Sequence, residues 1–89
     1  MNIEDYRKEI DRTDSEISRL FAERMNTVKK IGELKKEKAL PVSDSERENK
    51  ILSALCENVS PELAPYLTEL YGKIFELSKR YQDAVKNYE

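Results

Sequence analysis

Isoleucine recurs at seven-residue spacing along the first part of the chain, at Ile3, Ile10, Ile17 and Ile31. A second series, Tyr6, Thr13, Leu20, Thr27 and Leu34, keeps the same spacing beside it. Together they form the apolar stripe of one long amphipathic helix, predicted from about Ile3 to about Lys38. It ends before Ala39-Leu40-Pro41-Val42, because Pro41 disfavours helix in the residue before it. A second helix is predicted over about 44–57, opening at Ser43-Asp44-Ser45 and continuing through Ile51, Leu52 and Leu55. Ser45 with Glu48, or Ser43 with Glu46, fits a capping box there. A third is predicted over about 61–86, with Ser60 as N-cap and Pro61 as first helical residue. Its stripe is Leu63, Leu67, Leu70, Ile74, Leu77, Tyr81 and Val85 (or Ala84). The final Lys86-Asn87-Tyr88-Glu89 is expected to fray.

These lengths argue for a partner chain. A first helix of roughly 36 residues spans about 54 Å, and a third of about 27 residues spans about 40 Å. One chain alone would leave part of the first stripe uncovered. A two-fold copy is the simplest cover, so the expected architecture is all-α, three helices per chain, intertwined as a helical homodimer.

Composition agrees with that class and narrows the chemistry. The 89 residues suit one domain, and only two glycines and three prolines interrupt a charged, helix-forming composition. A net charge of −2 gives no reason to expect nucleic acid or an anionic membrane as partner. No apolar run approaches the ~20 residues of a membrane span, and the polar start does not read as a signal peptide. Cys56 is the single cysteine, which excludes an internal disulfide and suits the reducing cytoplasm. It reads as a half-buried helix residue. With no histidine, structural zinc and the histidine-activated nucleophiles are excluded. Any chemistry must run without them.

Arg24 interrupts the isoleucine series. Burying an unpaired guanidinium costs several kcal/mol, of order 3–5 even after relaxation. A protein carboxylate or an anionic ligand must therefore meet it. Lys35, eleven residues on, lies only about 20° away around the helix and about 16 Å along it. Arg7, seventeen residues before Arg24, is about 25 Å away and about 100° around. A straight helix cannot bring Arg7 and Arg24 onto one small ligand, so Arg7 shares that site only by arriving from another subunit. From spacing alone, Arg7 reads as a solvated surface arginine.

The other helices add polar groups on faces that must pack. Asp44, Arg47 and Glu48 lie at i, i+3 and i+4 on the face continuing into Ile51 and Leu55. Ser78 and Gln82 form an i, i+4 pair beside Tyr71, Ile74 and Phe75. Singly, Asp44 and Glu48 read as helix-terminal caps, Arg47 as a surface residue, and Ser78 and Gln82 as flanking polar positions. Together with Arg24 and Lys35 they point to a polar pocket inside a helical bundle.

Several segments carry a family resemblance: Tyr6 to Asp14, Leu20 to Arg24, Ile31 to Lys35, Pro41 to Glu48, and Ser78 to Gln82. In that order and spacing the chain resembles, over nearly its whole length, the all-helical (AroQ-type) class of chorismate mutase. The resemblance assigns Arg7, Arg24, Lys35, Asp44, Arg47, Glu48, Ser78 and Gln82 to the active site. It also implies an intertwined dimer with two sites, Arg7 crossing from the partner subunit.

The implied reaction is the Claisen-type rearrangement of chorismate to prephenate, in aromatic amino-acid biosynthesis. It needs no metal, cofactor or covalent intermediate, which suits the residue inventory. Arg24 and the partner's Arg7 would clamp carboxylates of the dianion, with Ser78 assisting. Lys35 and Gln82 would donate to the ether oxygen as its charge grows. Glu48 and the Asp44 backbone would hold the ring hydroxyl, and Arg47 would complete the electrostatic wall. A neutral amide at Gln82 donates without titrating, so activity is not expected to require acid pH. Two rival readings stay open at this point: an isochorismate-pyruvate lyase of the same fold, and a non-enzymatic helical dimerisation module with Arg24 as a register-setting charge. Docking to another shikimate-pathway enzyme that activates it is also left open.

Overall fold

Local contacts set both ends of the first helix and the starts of the other two in the computed structural model, which describes residues 1–87. Asn2 caps the long first helix, α1 (Ile3–Lys38), accepting from the Asp5 N–H at 3.0 Å while the Asp5 carboxylate accepts from the Asn2 N–H at 3.2 Å. This reciprocal box satisfies two donors that an α-helix leaves free at its start. At the other end Ala39 turns into the left-handed region (φ 54°), and the Leu40 N–H donates to the Lys35 carbonyl at 2.8 Å. Pro41 follows where the helix could not continue.

The second helix, α2 (Ser45–Glu57), is capped by Asp44 and by neither neighbouring serine: its carboxylate accepts from the Arg47 N–H at 3.0 Å. All three side chains are competent caps, and an anionic one gains most from the helix dipole.

The third helix, α3 (Ala64–Asn87), begins later than Ser60-Pro61 suggested. The Ser60 carbonyl, not its side chain, accepts from Leu63 and Ala64 at 2.9 and 3.2 Å, closing a separate turn over 61–63. Pro65 has no N–H to offer the Pro61 carbonyl, so one helical ladder cannot run through both prolines. The expected fraying also fails for Lys86 and Asn87, which are helical, and the Lys86 ammonium donates to the Leu40 carbonyl at 2.8 Å. Tyr88 and Glu89 lie outside the described residues.

Both other helices pack on α3. Gly32 of α1 sits against Gln82 and Val85, and Arg24 against Ser78 and Tyr71, so α1 and α3 run parallel. Glu48 meets Lys79, and Cys56 meets Thr68, so α2 returns antiparallel. Among the described residues, Val28 and Phe75 are the buried apolar side chains. Gly32 is what permits this approach, because a Cβ there would lie 3.3 Å from the Gln82 Cα.

The molecule's longest dimension, 54 Å, is the length of α1 itself. Every residue from Met1 to Glu23 is exposed, including Ile3, Ile10, Ile17 and Leu20. The amino-terminal part of the stripe therefore has no cover within the chain. No described helix is long and apolar enough to cross a membrane.

The solvent face of α3 is ordinary by comparison. Hydrogen bonding and charge from Lys73, with help from Arg80, hold the Glu76 carboxyl below its usual range. Gly72 lies close to Glu76 and Asp83 around that helix and has nothing within 4 Å of its missing Cβ. The two glycines should respond oppositely. Gly32→Leu is expected to lose about 2 kcal/mol or more by prising α1 from α3, whereas Gly72→Ala is expected to gain up to about 1 kcal/mol of helix propensity. Urea unfolding at matched protein concentration checks both.

Candidate active site

The carboxyl-terminal half of α1, the start of α2 and the middle of α3 enclose a cleft of about 480 Å³. That is in the size range of small-molecule sites, which run from about 300 to 1,000 Å³. Arg24 and Lys35 reach it from α1, Asp44, Arg47 and Glu48 from the α2 end, and Ser78 and Gln82 from α3. The helical arithmetic explains the first pair, since residues eleven apart share a face. Its apolar wall includes Val28, Ile31, Val42, Ile51 and Phe75.

Arg24 is half-buried, and its Nη1 donates to the Ser78 hydroxyl at 2.6 Å. That hydroxyl donates in turn to the Ile74 carbonyl at 2.7 Å. The guanidinium carbon also lies 5.9 Å from the centre of the Tyr71 ring, which meets Phe75 edge-on. A serine oxygen and a ring face aim the guanidinium without neutralising it. Among the described residues no carboxylate stands within ion-pair distance of Arg24.

Lys35 donates to the Val42 carbonyl at 3.1 Å. One of its three N–H groups is thereby used and the head is held at the cleft, with two donors left for a ligand. Gln82 is buried, and its Oε1 has no hydrogen-bond partner among the described residues. Oε1 is an acceptor and calls for a donor, whereas a ligand oxygen at the cleft would be met by the N–H groups of the same amide. Asp44 uses one carboxylate oxygen to cap α2. Glu48 is half-buried and pairs with Lys79 at 3.2 Å.

Arg7 is absent from the cleft. It is exposed and pairs with Glu4 at 2.6 Å on the uncovered part of α1. Lys79 lines the cleft although its sequence setting, followed by Arg80, reads as solvated. The signal that could have found it is its position, four residues after Phe75 and three before Gln82. Overall the lining carries Arg24, Lys35, Arg47 and Lys79 against Asp44 and Glu48, an excess of positive charge suited to a small anion.

Residues 6–83 match the family described as chorismate mutase type II. The chain belongs to that family. It is 33% identical to the chorismate mutase of Methanocaldococcus jannaschii over 90 residues, covering 91% of this chain and 88% of that one. Against the bifunctional chorismate mutase/prephenate dehydratase of Aquifex aeolicus it is 38% identical over 73 residues. That match spans 82% of this chain but only 18% of the larger protein. A 40% identical stretch of 52 residues is shared with the T-protein of Haemophilus influenzae, 58% of this chain and 14% of that one. No solved structure gives a significant match.

The Arg24 environment has a measurable consequence. Removing an uncompensated, half-buried charge should not destabilise the fold, so Arg24→Met is expected to unfold at the same or a higher denaturant concentration than the parent. A loss of about 3 kcal/mol or more would mean that a carboxylate does pair with it.

Proposed function

We propose that this chain is an isomerase that rearranges chorismate to prephenate in the cytoplasmic synthesis of aromatic amino acids. The observation that carries the reading is Arg24, a half-buried guanidinium facing a cation-rich cleft with no carboxylate beside it among the described residues. In this concerted step the ether carbon–oxygen bond breaks as a carbon–carbon bond forms between the enolpyruvyl arm and the ring. Catalysis then requires that the folded conformer be held and the growing oxygen charge be met.

Position in the cleft supports a role for each lining residue. Arg24, aimed by Ser78 and Tyr71, clamps a carboxylate of the dianion; its fork suits two oxygens. Lys35 and the Gln82 amide donate to the ether oxygen, whose charge develops only towards the transition state. Glu48 accepts from the ring hydroxyl, Asp44 supports it through its backbone, and Arg47 adds positive potential at the α2 end. The apolar wall excludes water and strengthens these contacts.

The site is completed by a second copy. The exposed stripe from Ile3 to Leu20 is long, regular and uncovered within the chain, which favours an intertwined homodimer. Arg7 lies on that uncovered part of α1 and reaches the second carboxylate of substrate in the partner's cleft.

Incubating purified protein with chorismate, and separately with isochorismate, and identifying the products tests the reading. Prephenate from chorismate is expected. Pyruvate and salicylate from isochorismate alone would overturn it. Lys35→Ala is expected to lower kcat by about 10²–10³, the usual effect of removing one donor to developing charge. A loss below about tenfold would remove Lys35 from that role.

A further inference from the structure

Lys79 has no part in the reaction as set out above, yet it lines the cleft and its ammonium stands 3.2 Å from the Glu48 carboxylate. The other ion pairs among the described residues lie within single helices at i,i+3 or i,i+4. This pair instead joins α3 to α2. Its side chains are 37% and 24% exposed, so it is shielded from water more than the surface pairs are.

Glu48 presents a difficulty that Lys79 resolves. A carboxylate in a cleft that admits a dianion repels its own ligand, and less water in the cleft makes that repulsion stronger. A hydroxyl acceptor is still needed there on the functional reading. The pair engages Glu48 Oε2, which leaves Oε1 available. We infer that Lys79 is a positioning residue for substrate binding: it neutralises Glu48 against the incoming dianion and fixes the carboxylate so that its free oxygen meets the ring hydroxyl. This rests on the chorismate mutase reading of the cleft. It places Lys79 in ground-state binding, because the neutralised repulsion is present in substrate and transition state alike.

The test is a steady-state comparison of the parent, Lys79→Met, Lys79→Arg, Glu48→Gln and the Lys79→Met/Glu48→Gln double variant on chorismate. Prephenate affinity is measured by calorimetry alongside. Lys79→Met is expected to raise KM by about tenfold with kcat changed less than about threefold, and to weaken prephenate binding in parallel. Lys79→Arg, which keeps the charge, is expected to restore KM to near the parent value. In the Glu48→Gln background, where no negative charge needs compensation, Lys79→Met is expected to have little further effect on KM. An undiminished KM effect in that background, or a fall in kcat at unchanged KM, would overturn the inference. A parent protein that produces no prephenate would instead overturn the functional reading beneath it.

Discussion

An uncompensated positive charge between α1 and α3 is the constraint on which the rest of this structure turns. Arg24 stands where the stripe calls for isoleucine, and the fold gives it a serine oxygen and an aromatic ring but, among the described residues, no carboxylate. That arrangement orients the guanidinium while leaving its charge available. Several features serve the geometry around it. Gly32 lets α3 approach α1 closely, which puts Gln82 beside the cleft. The turn after α1 carries the Val42 carbonyl back to Lys35, and Lys86 of α3 ties the same turn down through Leu40. Asp44 then starts α2 at the cleft edge.

A second constraint is length. The long helix extends well past the part that α3 covers, and its amino-terminal stripe of isoleucines is exposed within one chain. Arg7 sits on that same uncovered segment, paired among the described residues with a neighbour one turn away. On the proposed reading the uncovered stripe and the missing second carboxylate clamp have one remedy, a second copy of the chain. A substrate dianion would then be gripped by cations from two subunits, and dimerisation would be a condition of activity.

Much of this was legible from residue spacing, and the exceptions have physical causes. The three helices follow from apolar periodicity, and the shared face of Arg24 and Lys35 follows from eleven residues being close to three turns. The start of α3 misleads because Ser60-Pro61 is a good local signal that Pro65, four residues on, prevents from propagating. The cap of α2 is ambiguous because Ser43, Asp44 and Ser45 can all accept, and only backbone geometry selects among them. Lys79 escapes notice for a different reason. Its partner Glu48 comes from another helix, and periodicity within one helix contains no information on the register between two. The close-approach role of Gly32 is hidden in the same way.

Subunit mixing addresses the central claim most directly. On the proposed reading Arg7→Ala and Lys35→Ala each remove one essential group, and in a mixed dimer the two defects would fall in the same site, leaving the other site intact. Combining equal amounts of the two inactive proteins under exchange conditions should restore about a quarter of parental activity, because half the dimers are mixed and each has one working site. Activity no greater than the sum of the separate variants, with exchange verified by mass, would show that Arg7 does not cross between subunits.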